Sequence, residues 1–75
     1  MVFIRNIQNA FKNMQHGFVM ILIFKSRQSL KINNNDKLDT LNGDLHVKQY
    51  KGNQIKSEYI IDCHEIESIK IRIGE

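Results

Sequence analysis

The chain has no proline and no tryptophan, a single cysteine, and four glycines set far apart among 75 residues. Each scarcity excludes something. Without proline there is no stiff polyproline spacer between domains. Cys63 has no second thiol to bridge to, which favours a reducing compartment and predicts a cytoplasmic protein. Zinc sites usually show paired spacings such as C-x₂-C, and no second pair exists here. Gly17, Gly43, Gly52 and Gly74 stand singly, so no glycine-rich phosphate loop forms, and no cofactor is expected. Long apolar runs are missing too. The longest, Phe18–Phe24, has seven residues, against about 20 needed to cross a bilayer. Arg5 and Lys12 precede that run as they would in a secretory leader. Lys25-Ser26-Arg27 follows it, however, where a small-residue cleavage site would sit. A soluble protein with no membrane partner is the expectation.

Acids are missing from the first half. Five basic residues (Arg5, Lys12, Lys25, Arg27, Lys31) and no acid lie between Met1 and Asn35, while the remainder carries eight acids and six bases. The net charge of +3 is thus polarised along the chain, which can make one face of the fold basic. Isoleucine, asparagine and lysine supply 28 of the 75 residues, a bias typical of AT-rich coding DNA such as that of low-GC bacteria and their mobile elements. The length makes residues 1–75 one domain. A chain this short buries only about 60% of its unfolded surface. With neither disulfide nor metal in sight, pairing of two copies is the usual remedy, so a homodimer or other homo-oligomer is expected.

Residues 2–15 have helical periodicity: Phe3, Ile4, Ile7, Phe11 and Met14 recur at three- and four-residue spacing, with Ala10 on the same stripe. Gly17 then stands where a helix-terminating glycine commonly falls. Everything beyond reads as strand. Phe18–Phe24 is apolar on both faces and calls for cover on both sides. The helix can supply one, while the other needs a closed barrel, a folded-over sheet or a second subunit. Gln28–Asn33 alternates and is broken by Asn33–Asp36. Asn42-Gly43 between two apolar segments is the strongest hairpin signal in the chain. Gly52-Asn53 turns into Ile55–Ile61, Asp62–Glu65 interrupts, and Ile69, Ile71 and Ile73 close the chain. The fold expected is α+β: an N-terminal amphipathic helix on a roughly five-stranded antiparallel sheet, curled toward a small SH3-like barrel. The order of elements is similar to that of Sm-like proteins as well. Tyr50 stands where that family's signature has an acid, and Asp62-Cys63 where it has a basic-glycine pair, so the similarity is one of order alone.

Asp62-Cys63-His64-Glu65 is the one cluster of reactive side chains. A Cys/His pair can supply a nucleophile and its base. Neighbours on a strand point to opposite faces, however, so Cys63 and His64 would need a turn to meet. The expected role is a buried structural thiol beside a solvated turn, with neither catalysis nor metal. Glu65 and Glu67 are expected on an exposed edge. Lys48, Lys51 and Lys56 around Tyr50 and Tyr59 could contact phosphates and stack on bases, with Lys48, Tyr50 and Lys56 sharing a face across the Gly52-Asn53 hairpin. Acids in the same strands dilute that field. The expected function is therefore a small non-enzymatic regulatory or inhibitory protein. It would act by binding a partner macromolecule, a protein before a nucleic acid, as accessory proteins of phages and mobile elements do. A small basic barrel binding RNA or DNA is the alternative, with Lys48, Tyr50, Lys51, Lys56 and Tyr59 as the contact residues.

Overall fold

The apolar stripe and the alternating segments become one helix and six strands in a computed structural model that describes residues 3–74. These are α1 (Ile4–Lys12), β1 (Phe18–Phe24), β2 (Ser29–Asn33), β3 (Lys37–Leu41), β4 (Asp44–Lys51), β5 (Gln54–Ile61) and, after a 3₁₀ turn at Cys63–Glu65, β6 (Ile66–Ile73). The class is α+β, as expected. The sheet is not five-stranded. Six strands form two antiparallel sheets of three, ordered β2-β1-β6 and β3-β4-β5, with no closed barrel among the described residues.

The chain changes sheets at Asn33–Asp36, and one side chain there bridges the two. Asp36 is 5% exposed. One carboxylate oxygen accepts the Asn33 amide at 3.0 Å and the other the Tyr50 amide at 3.2 Å. The Asn33 side chain accepts the Asn35 amide, a local turn that asparagine forms readily. The chain therefore leaves the first sheet at Asn33 and enters the second at Lys37. A further tie joins the sheets where the Gln49 side-chain amide donates to the Lys31 carbonyl at 2.7 Å.

The helix is shorter than its periodicity suggested. It ends at Lys12 with Asn13 as its cap, and Gly17 belongs to the following turn, where the Phe18 amide bonds the Gln15 carbonyl. Val2, within the expected helix, lies outside the described residues. Phe3 precedes the first helical turn and is 63% exposed, so it does not extend the buried stripe. The rest of the stripe does its expected work. Ile7 and Met14 are buried with Met20 and Leu22 of β1, Ile32 of β2, Leu45 and Val47 of β4 and Ile66 of β6; Ile4, Ala10 and Phe11 pack around them. Helical spacing on one side and two-residue alternation on the other thus aim at a single core.

The other face of β1 has a different fate. Val19, Ile21 and Ile23 lie on the face opposite Met20 and Leu22, where neither barrel closure nor the helix covers the two isoleucines and only Val19 is buried. Register surrounds them instead: Ile21 lies between Lys31 and Lys70, Val19 between Asn33 and Arg72, and Ile23 between Ser29 and Ser68. Lysine and arginine stems lie along apolar neighbours while their charged heads stay in water. Ile21 and Ile23 are accordingly half-buried. The tail crosses the end of this row: the Gly74 amide bonds the Gly17 carbonyl at 2.8 Å, and a Cβ at position 74 would come 2.6 Å from Val19 Cγ1.

Candidate functional site

The expected contact residues divide between two surfaces. In the β3-β4-β5 sheet, Leu45 and Val47 point inward, so His46, Lys48 and Tyr50 share the outward face. Lys37 stands opposite Lys48, and its ammonium lies 5.7 Å from the centre of the Tyr50 ring, within cation–π range. Lys48 and Tyr50 therefore sit together as expected, and Lys37 joins them. Lys37 also occupies one face of the ring, where a base would have to stack. On the same outward face stand Asp39 and Glu58, the latter accepting from His46 Nε2 at 2.5 Å.

Of the remaining expected residues, Lys51 and Tyr59 lie elsewhere, while Lys56 is exposed two positions from the outward-facing Glu58. Lys51 is exposed at the end of β4, opposite Gln54. Lys56 falls where the register shifts: Gln49 pairs with Ser57 and Tyr50 with Ile55, leaving Lys56 no partner across the strands. Tyr59 pairs with Val47 and faces the inner side. There it lines a shallow cleft with Phe24, Leu30 and Ile61. The two tyrosines are thus on opposite faces of one sheet, because Val47, the partner of Tyr59, is an odd number of positions from Tyr50 on β4.

Two features that alternation alone does not reveal concern the sheet edges. No strand among the described residues pairs with the outer side of β5 or of β6. Both are eight residues long and both expose apolar side chains: Ile55, Tyr59 and Ile60 (60%) on β5, Ile71 and Ile73 (72%) on β6. An unpaired edge presents a row of amides and carbonyls to any strand that approaches.

The Asp62–Glu65 segment folds on itself. Asp62 accepts from both the His64 amide and the His64 ring at 2.9 and 2.8 Å, and these bonds hold its carboxyl below the usual range. His64 is turned to Asp62, and Cys63 packs half-buried against the core. Burial pushes the Cys63 thiol up, and the Asp62 and Asp44 carboxylates add to the shift, opposite to the lowered value of an activated thiol. No three His, Cys, Asp or Glu side chains among the described residues converge as a metal site would require, and no helix among them is long and apolar enough to cross a membrane. Comparison with known protein families, with curated proteins and with solved structures gave no match.

Proposed function

We propose that this chain is a small non-enzymatic binding module that regulates or inhibits a partner protein, and that the partner docks along the open edge of β5. We read the two sheets as an SH3-like barrel left open between β2 and β3 and between β5 and β6, which turns what would be internal pairing at β5 into an outward-facing strand. The observation that carries this reading is the unpaired β5 edge with Ile55, Tyr59 and Ile60 exposed along it. Strand addition draws affinity from main-chain hydrogen bonds and specificity from pockets for alternate side chains. The cleft between Tyr59 and Ile61 on one side and Phe24 and Leu30 on the other supplies such a pocket beside the edge. The small size and lysine–isoleucine–asparagine bias fit an accessory protein of a phage or mobile element that acts by occupying a larger target.

The test is capture from nuclease-treated bacterial lysate on three immobilised proteins: the parent, Tyr59→Ala/Ile60→Lys, and the helix-surface variant Asn9→Lys. A charge on an edge strand opposes pairing. One protein retained by the parent and by Asn9→Lys, and lost with the β5 variant, supports the reading. Retention that the β5 variant leaves unchanged, or no retention by the parent, overturns it. Self-association of the parent that the β5 variant abolishes would identify a second copy of the chain as the occupant instead.

A further inference from the structure

We infer that the outward face of the β2-β1-β6 sheet is a second, independent binding surface, for the phosphodiester backbone of a nucleic acid. The register places Lys31, Ile21 and Lys70 in one row across the sheet and Asn33, Val19 and Arg72 in the next. Neighbouring strands lie about 4.8 Å apart, so the two lysines straddle β1 at roughly 10 Å, and Arg72 follows Lys70 by about 7 Å along β6. All three cations are exposed. In these three strands the one acid is Glu67, at the register shift where Phe24 pairs with Ile66 and Ile23 with Ser68. The opposite sheet differs: Lys37 and Lys48 share its outward face with Asp39 and Glu58. One cation from the acid-free first half and two from the last strand thus meet on folding on one face, whose strands carry a single carboxylate, Glu67, at the far end beside Ser68.

The chemistry of that face selects the occupant. Three cations with serine and asparagine donors beside them suit closely spaced phosphate oxygens, which lysine, arginine, serine and asparagine side chains contact on nucleic acids. The isoleucines between them are half-buried, and no aromatic side chain stands on the face. A membrane-binding surface would project large apolar groups into the acyl boundary. A protein interface would centre on buried aromatic or arginine anchors. Without an aromatic platform, the bases gain no stacking. Binding is therefore indifferent to sequence, driven by counterion release and steeply dependent on salt.

Fluorescence anisotropy of labelled 20-nucleotide single strands and 20-base-pair duplexes, titrated from 50 to 200 mM salt, tests this. Two triple variants with the same loss of charge are compared: Lys31→Gln/Lys70→Gln/Arg72→Gln, and Lys48→Gln/Lys51→Gln/Lys56→Gln. Thermal melts establish that both are folded, and the single variant Arg72→Gln stands in if the first triple is not. The parent is expected to bind both nucleic acids at 50 mM salt. The first triple variant should lose at least tenfold in affinity and about 2–3 units of the log–log salt slope. The second should change affinity less than threefold. No binding by the parent at 50 mM salt, or equal loss in the two triples, overturns the assignment. So does binding to phosphatidylserine vesicles or polyglutamate in place of oligonucleotides.

Discussion

Replacing Asp36 with alanine tests the hinge between the two sheets. Two backbone amides, those of Asn33 and Tyr50, donate to this one buried carboxylate. Hydrogen bonds to charged groups contribute about 1.5–3 kcal/mol each, and a buried donor left unpaired costs a similar amount. Both bonds here are partly buried rather than fully enclosed, so the lower end applies, and Asp36→Ala should cost about 2–4 kcal/mol in all. A domain of this size has a total stability of about 4–11 kcal/mol. The variant therefore sits close to unfolding, with its melting temperature lowered by about 10–30 °C. Asp36→Asn keeps one acceptor oxygen and should lose about half as much, because one amide stays satisfied. Urea unfolding followed by circular dichroism gives the midpoint and slope for all three proteins. The order parent, Asp36→Asn, Asp36→Ala, with slopes unchanged, is expected. A stability for Asp36→Ala within about 0.5 kcal/mol of the parent would refute the view that this carboxylate holds the turn, since that is the scatter of ordinary surface changes.

Three more outcomes follow from the same structure. Ile7→Ala should cost about 2–5 kcal/mol in urea, because Ile7 is fully buried beneath the helix, while Ile60→Ala on the open edge should stay within about 0.5 kcal/mol. Gly43→Ala should cost about 1 kcal/mol, because Gly43 holds φ +85° in the Asn42-Gly43 turn and a side chain is disfavoured there. Cys63 should react with a disulfide reagent more slowly than free cysteine at pH 8: its thiol pKa is raised, so the thiolate fraction at that pH is smaller. Its rate should keep climbing above pH 9, whereas a plateau below pH 8 would contradict the raised value.

Much of this fold can be read from local pattern, and what cannot depends on contacts distant in sequence. The strand from Phe18 to Phe24 follows from its continuous apolar run, and that from Ile55 to Ile61 from the turn before it and the break after it. The Asn42-Gly43 hairpin follows from two residues that both adopt positive φ, as a two-residue turn of this kind requires. The division into two sheets does not follow, because it hangs on Asp36 meeting an amide 14 residues away. The inward placement of Tyr59 depends on its pairing with Val47, which no short window shows. Lys31, Lys70 and Arg72 were missed as a group for the same reason: only the register of β1 with both neighbours assembles them. The acid-free first half and the Ser68-Lys70-Arg72 alternation were the available signals. Lys48 and Tyr50 were legible as partners because they lie two positions apart on one strand.

The central claim, that β5 is the surface a protein partner occupies, is tested most directly by photo-crosslinking in lysate. A benzophenone side chain is placed at position 60 on the β5 edge or at position 9 on the exposed side of α1. One discrete protein adduct from position 60, and none from position 9, is the expected result. Equal adducts from both positions, or none from position 60, would contradict it.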